Sequence, residues 1–161
     1  MTVDEETLTI TCTVNGEAVR DVVPVRRSLV DWVRHDLGLT GSHVGCEHGV
    51  CGACHVQVDG RVVRGCLMLA VQADGARVET VEGATRSGRV AVLQDCFFER
   101  AALQCGFCTP GILLQAAELL EHTPAPDRAE IRAALSGNIC RCTGYQAIVE
   151  AVEEAAGRLR A

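Results

Sequence analysis

The sequence predicts an α+β chain, β-rich to about residue 80 and helical beyond it. Three observations carry this reading. Apolar residues alternate with period two in the first half, they recur with helical spacing from about Gly88, and three cysteine clusters punctuate both halves. With 161 residues, 48% of them hydrophobic, the chain has material for one ordinary domain or two small ones and no sign of disorder.

The elements follow in order. In LTITCTVNGEAV, Leu8, Ile10, Cys12 and Val14 alternate with Thr7, Thr9, Thr11 and Thr13, and Asn15-Gly16 supplies a turn that tolerates positive φ. Val19 to Val25 returns as the second strand. Ser28, with Asp31 three residues on, resembles a capping box, and Leu29, Trp32, Val33 and Leu37 keep helical spacing up to Gly38. CHVQVDGRVVRGC reads as a second hairpin turning at Asp59-Gly60, and a last strand is expected over Val78 to Val81. The stretch EGATRSG reads as a linker. Beyond it Val90, Leu93, Phe97 and Ala101 mark one helix, and Ile112, Leu113, Ala116, Leu119 and Leu120 a second. HTPAP breaks the chain. Asp127 caps a third helix with Glu130 closing the box, Ile131, Ala134 and Leu135 face inward, and Ile148, Val149, Val152 and Ala156 mark a fourth. The expected domains are 1–80 and 81–161.

Composition excludes several functions. The formal charge is −6 and the aromatics are only Phe97, Phe98, Phe107, Trp32 and Tyr145, so the basic face and stacking platforms of nucleic-acid binders are missing. MTVDEETLTI is acidic where a secretion signal is basic, and no run approaches the ~18 apolar residues of a membrane span. The expected location is the cytoplasm, where clustered thiols bind metal or do redox chemistry rather than form structural disulfides.

GCEHGVCGAC places Cys46, Cys51 and Cys54 at the spacing C-x4-C-x2-C, and Cys66 follows across the hairpin. This is the plant-type [2Fe–2S] arrangement. Four thiolates on such a cluster carry excess negative charge, so backbone N–H groups must turn toward the sulfurs, and Gly45, Gly49 and Gly52 permit the dihedrals this needs. Zinc favours two C-x2-C knuckles and finds one here, and a Rieske centre lacks its second Cys/His half. A second set, Cys105 and Cys108 in QCGFCTPG with Cys140 and Cys142 in NICRCTG, precedes two helices whose N-termini favour thiolate, with Gly106, Gly137 and Gly144 relieving the backbone. Its spacing alone fits structural zinc as well as a cluster; the iron–sulfur signal upstream shifts the balance to a second cluster.

Taken together, GCEHGVCGAC, Cys66, QCGFCTPG and GNICRCTGYQ resemble the small iron–sulfur subunit of the molybdenum hydroxylases, the group of xanthine dehydrogenase, aldehyde oxidoreductase, bacterial carbon monoxide dehydrogenase and N-heterocycle dehydrogenases. The likeness spans nearly the whole chain. It implies an N-terminal β-grasp, plant-type ferredoxin-like domain and a C-terminal four-helix bundle. It implies that Cys46, Cys51, Cys54 and Cys66 hold the cluster nearer a flavin subunit, and Cys105, Cys108, Cys140 and Cys142 the one nearer molybdenum. Gln104 and Cys142 match positions that approach the pterin of the molybdenum cofactor. The implied partners are a large subunit with a molybdopterin cofactor in its cytosine dinucleotide form and a medium subunit with FAD, in a heterotrimer that can itself dimerise. Electrons would pass singly from molybdenum through both clusters to FAD. His55 departs from the family, which commonly carries Thr after the third ligand.

Other residues have plainer readings. The chain lacks G-x-G-x-x-G, and GATRSGR has Arg89 where a P-loop needs Lys, so nucleotide sites are expected on another chain. Cys12 and Cys96 read as buried free thiols. His35, His43, His48 and His122 read as surface or loop residues, with His43 and His48 near the first cluster; Trp32 reads as core. Arg141, between two ligands, reads as a screen for the cluster's charge or as a solvated or partner-facing cation. Two alternatives stand beside the subunit reading: a free two-cluster ferredoxin-like carrier, and a zinc-stabilised module without redox activity.

Overall fold

In the computed structural model the first hairpin forms as its turn chemistry dictates. Strand β1 (Thr7–Val14) pairs antiparallel with β2 (Glu17–Pro24), and Asn15 (φ 52) and Gly16 (φ 85) both adopt the left-handed backbone that a two-residue hairpin turn requires. The structure describes residues 5–161; the reading of an acidic, non-export N-terminus rests partly on residues 1–4, outside the described residues. Ile10, Cys12 and Val14 are buried as the alternation predicts, but Leu8 is exposed, because the start of the strand overhangs a core that begins at Ile10. The second strand also starts earlier than expected, at Glu17, since the tight turn lets pairing resume at once.

Ser28 caps helix α1 (Leu29–Asp31): its hydroxyl accepts the Asp31 N–H at 3.1 Å and donates to Asp31 Oδ2 at 2.7 Å. The helix widens immediately into a π-type turn over Trp32–Asp36, closed by Leu37 N–H to the Trp32 carbonyl at 3.1 Å. Trp32 is fully buried there and its indole N–H donates to Asp21 at 2.8 Å, which joins this segment to β2. Strands β3 (His55–Val58) and β4 (Arg61–Arg64) form the second hairpin. Strand β5 (Arg77–Glu79) runs parallel to β1 and antiparallel to β3, giving a five-stranded mixed sheet in the order β2-β1-β5-β3-β4. One core packs on this sheet: Ile10, Cys12, Val14, Val23, Leu29, Trp32, Val33, Val56 and Val78 are all nearly or fully buried.

Two expectations fail between residues 78 and 88. The fifth strand stops at Glu79 rather than Val81, because the Thr80 N–H and hydroxyl turn to the Asn15 side chain, 2.8 and 3.0 Å away. EGATRSG is largely helical rather than a linker: helix α2 (Val81–Arg86) buries Val81, Gly83 and Ala84, and Glu82 accepts the Gly41 N–H at 2.7 Å. Arg89 pairs with Glu79 at 2.8 Å and with Glu121 at 2.6 Å, so it ties sheet to helices.

The helical half contains α3 (Ala91–Glu99), α4 (Thr109–His122), α5 (Arg128–Leu135) and α6 (Gln146–Arg160), with α3 against α6, α4 against α5, and α5 against α6. These four form the bundle, and α2 is an addition to it. Ala101, expected on α3, lies beyond its end with φ 50; Ala102 is the residue that turns inward. Asp127 and Glu130 make the full capping box of α5, each side chain meeting the other's N–H at 2.8 Å. A second core, including Leu93, Phe97, Ile112, Leu114, Ile131, Leu135, Ile148 and Val152, fills this half. Cys12 and Cys96 are buried in the first and second core respectively, and burial raises both thiols above their ordinary value. No helix among the described residues is long and apolar enough to cross a membrane.

Candidate metal centres

The loop between α1 and β3 turns its N–H groups inward around one sulfur. The amides of Val50 and Cys51 point at Cys46 Sγ, at 3.3 and 3.4 Å, and those of Cys51 and His48 with that of Val50 pull this thiol down to about 6. Left-handed backbone at Gly49 (φ 80) and Gly52 (φ 69) makes the loop possible, as predicted; Glu47 (φ 57) also adopts it, while Gly45 does not. Cys54 lies deeper, at the start of β3, and burial together with the neighbouring Cys66 thiol pushes it up to about 12. Cys54 and Cys66 flank the β3–β4 hairpin, so the ladder between those strands brings them together.

In the second set Cys105 and Cys142 are exposed, with their sulfurs 3.5 Å apart, whereas Cys108 and Cys140 are buried beside one another. Cys108 is the N-cap of α4, but the helix end does not lower its pKa as the sequence suggests: burial and the Cys140 thiol raise it to about 12. At Cys140 burial is the largest influence and raises the thiol, but hydrogen bonds from the Thr143 hydroxyl, 3.1 Å from the sulfur, from the Thr143 and Cys142 amides and from the Cys108 thiol together outweigh it, so this thiol is lowered. Cys140 and Cys142 do not sit directly on a helix end, for α6 begins only after Tyr145, which is left-handed at φ 67. The Tyr145 hydroxyl accepts the Cys140 N–H at 2.6 Å and donates to the Asn138 carbonyl at 3.0 Å, which closes the loop on itself.

The eight thiols gather in two sets: in the second, Cys105 and Cys142 are 3.5 Å apart with Cys108 beside Cys140, and in the first, Cys46 neighbours Cys51 and Cys54 neighbours Cys66, with weaker charge interactions across these twos as well. Among the described residues no three His, Cys, Asp or Glu side chains converge as one metal ion requires. Four thiolates about 2.3 Å from a single zinc would all lie about 3.8 Å from one another. A diiron cluster takes two thiolates on each iron, the pattern these pairs offer.

The two sets face a common seam. The Ile139 N–H, one residue before Cys140, donates to the Cys51 carbonyl at 2.8 Å. A Cβ on Gly111 would fall 2.3 Å from the Gly52 carbonyl oxygen, and one on Gly52 would fall 2.4 Å from that of Gly137. Asn138 reaches Gly52 O at 3.4 Å and His55 Nδ1 at 3.3 Å, and buried His55 also meets the Gly111 carbonyl at 3.4 Å. Sequence reasoning missed Asn138, Tyr145 and Gly111; GNIC, TGYQ and CTPG carry them beside the ligand-type cysteines, which is the signal that was present. Of the histidines, His43 stacks on Phe107 with ring centroids 4.6 Å apart and bonds its carbonyl at 2.8 Å, while His48 bonds the Cys46 carbonyl. His48 adjoins the first set as expected, whereas His43 lies between the sets, its backbone N–H on the Ala53 carbonyl at 3.1 Å and its ring on Phe107. Gln104 and Cys142 are exposed on one rim beside Cys105, and Arg141 is exposed between its two cysteines.

Comparison with known proteins agrees with this arrangement. Residues 12–77 match the family model described as a 2Fe-2S iron-sulfur cluster binding domain, and residues 80–153 match that of a [2Fe-2S] binding domain. The class defined by fold and sites is thus a two-cluster iron–sulfur protein. Nicotine 6-hydroxylase small subunit of Paenarthrobacter nicotinovorans is 53% identical over 91% of this chain and 88% of its own. Caffeine dehydrogenase subunit gamma of a Pseudomonas species (strain CBB1) is 51% identical, over 89% of this chain and 88% of its own. Among solved structures, quinoline 2-oxidoreductase from Pseudomonas putida 86 superposes with a TM-score of 0.87 and 48% identity, over 94% of this chain and 97% of that one. The chain belongs to the family of small iron–sulfur subunits of the molybdenum hydroxylases, oxidoreductases in which this subunit transfers electrons.

Proposed function

We propose that this chain is the obligate wire of a cytoplasmic molybdenum-dependent dehydrogenase. It takes electrons one at a time from a molybdopterin cofactor, in cytosine dinucleotide form, on a large subunit and delivers them to FAD on a medium subunit. Cys46, Cys51, Cys54 and Cys66 hold the first [2Fe–2S] group within residues 1–80; Cys105, Cys108, Cys140 and Cys142 hold the second within 81–161. Each group, when bound, accepts and releases a single electron, which lets a two-electron oxidation feed a one-electron path. The chain's own residues supply position: amides aimed at Cys46, the Tyr145 clamp on the Cys140 loop, and the Cys51–Ile139 hydrogen bond that joins the two ligand sets through one short bridge.

The observation that carries this reading is the gathering of eight thiols into two sets, with two backbone amides aimed at Cys46 Sγ and the Cys105 and Cys142 sulfurs 3.5 Å apart. Apolar rims argue for a bound subunit over a free carrier. Val50 and Leu67 are exposed beside the first set, and Leu103, Phe107 and Ile139 beside the second, where a freely diffusing ferredoxin would carry charge. On this basis the chain docks to both partners in a heterotrimer that can dimerise, with Gln104 and Cys142 turned to the pterin. The relatives named above act, by their names, on nicotine, caffeine and quinoline, so a nitrogen heterocycle is the proposed substrate class of the complex.

The test is iron, sulfide and zinc content of the purified chain with EPR after partial reduction. About four iron and four sulfide with two S = 1/2 signals is the expected result. Zinc without sulfide would overturn the reading.

A further inference from the structure

Deepening that reading, and resting on its ligand assignment, we infer that the guanidinium of Arg64 is a counter-charge shared by both centres and holds both reduction potentials up. Arg64 ends β4, two residues before Cys66. Its side chain crosses the seam to the backbone three residues before Cys140: Nη2 donates to the Gly137 carbonyl at 3.4 Å, and a Cβ on Gly137 would lie 2.6 Å from that nitrogen. The guanidinium therefore lies in the seam, against the Gly137 carbonyl that itself abuts Gly52, so it touches backbone close in the chain to cysteines of both sets.

It has no conventional partner. Among the described residues no carboxylate lies within ion-pair distance of Arg64, and its buried Nε–H finds no acceptor. Glu118, on the α4 face that packs on β3 and β4, is committed to Arg61 at 3.4 Å and to the Val62 N–H at 3.0 Å. A half-buried cation without a countercharge is costly to fold, and the cost is several-fold larger than that of an exposed one. Buried His55, opposite Arg64 in the β3–β4 ladder, offers no relief, since an imidazole supplies no negative charge and its Nδ1 is taken up by the Gly111 carbonyl and Asn138. The negative charge that this site lacks is what two tetrathiolate clusters bring. Arginine suits the task because it stays protonated where a lysine would be free to shift. Arg141 also lies beside ligand-type cysteines, but it is exposed and water screens it.

An electron arriving at either centre adds negative charge, and a fixed cation within the low-dielectric seam favours that reduced form. Neutralising Arg64 therefore shifts both midpoints downward, whereas a residue with a merely structural role would leave them alone. The experiment is an EPR-monitored redox titration of the iron-loaded full chain as wild type, Arg64→Gln and Arg64→Lys. In Arg64→Gln the iron content and both signals remain, and each reduced-to-oxidised ratio at fixed poise falls on the order of tenfold, about 59 mV for a one-electron couple. Arg64→Lys recovers most of this. Wild-type potentials in a fully loaded Arg64→Gln variant, or equal shifts in the Gln and Lys variants, overturn the inference. Should Arg64→Gln lose its iron, Gly137→Ala decides, because it pushes the guanidinium off the seam and leaves its charge on the chain. A smaller downward shift supports the role, and unchanged potentials overturn it. A wild-type chain without iron and sulfide would instead refute the electron-transfer reading on which the inference rests.

Discussion

Gly111→Ala sets two effects of known size against each other. Gly111 lies in the first turn of α4, and its φ is not in the left-handed region. By helix propensity alone an alanine there gains about 1 kcal/mol. The new methyl, however, stands 2.3 Å from the Gly52 carbonyl oxygen and 3.4 Å from the Ala53 Cα, both backbone atoms of the first cysteine loop. Backbone cannot rotate aside as a flexible side chain does, so α4 and the loop must separate. Over-packing of this kind costs about 1–3 kcal/mol. Separation also strains the Ile139 N–H to Cys51 O bond of 2.8 Å and the His55 to Gly111 O contact, which adds about 1 kcal/mol. The net expectation is a loss of about 1–3 kcal/mol, and at about 2–4 °C per kcal/mol for a domain of this size Tm falls by about 2–12 °C. Thermal unfolding of the iron-loaded chain by circular dichroism reads it directly. Exchange of the electron between the two centres, followed after rapid partial reduction, should slow in the same variant. An alanine variant as stable as the wild type, or more so, would refute the close approach and with it the account of how the two centres are linked.

Two further outcomes follow from the same geometry. Tyr145→Phe removes the hydroxyl that accepts the Cys140 N–H at 2.6 Å and donates to the Asn138 carbonyl at 3.0 Å, so it should cost about 1–3 kcal/mol and alter the EPR line shape of one centre only; identical spectra for both centres would rule out a positioning role. On the acid side, hydrogen bonds from Arg158, Arg128 and Arg100 lower Glu99, Glu153 and Glu154 respectively below their ordinary 4.5. A carboxylate whose folded pKa is depressed contributes stability that is fully present above the unfolded value and disappears as pH falls through the folded one. The α3–α6 and α5–α6 contacts should thus hold unchanged from pH 7 to about 5 and weaken below about 4.5, with added salt flattening the effect because Glu99 and Glu153 are exposed and Glu154 is partly so. Unfolding midpoints measured across that range decide the matter, and a loss centred near neutral pH would contradict it.

Local chemistry was legible in the residues and distant pairing was not. Asn15-Gly16 and Asp59-Gly60 announce their hairpins because both turns need positive φ at two successive positions, and a short amide or carboxylate followed by glycine is the pair that tolerates it. Asp127 and Glu130 announce α5 because a capping box closes within four residues. The first cysteine set could be read because Cys46 and Cys51 share one loop and Cys54 and Cys66 end one hairpin, whereas the second set joins cysteines across α4 and α5, so its spacing alone fits zinc as well as a cluster. The end of β5 and the helical character of Val81–Arg86 are decided by Asn15 and Gly41, far away in the chain, and no local pattern reports them. The pKa of Cys108 escaped for the same reason: its helix end is visible in TPG, while the burial that overrides it comes from the packing of the bundle.

The glycines sharpen this distinction. Read as a sequence, Gly45, Gly49, Gly52, Gly106, Gly137 and Gly144 all serve to free the backbone, and at Gly49, Gly52, Gly106 and Gly144 positive φ bears that out. Gly137 and Gly111 adopt no such conformation. They are needed for space: Gly137 admits the Arg64 guanidinium, and Gly111 admits the Gly52 carbonyl. A glycine in the first turn of a long helix forgoes about 1 kcal/mol of propensity. Where that sacrifice falls three residues after a ligand-type cysteine, as in CTPG, it marks the point where a second backbone comes within touching distance. That point is where Cys51 and Ile139 share their hydrogen bond, so the residue with no side chain identifies the junction between the two centres.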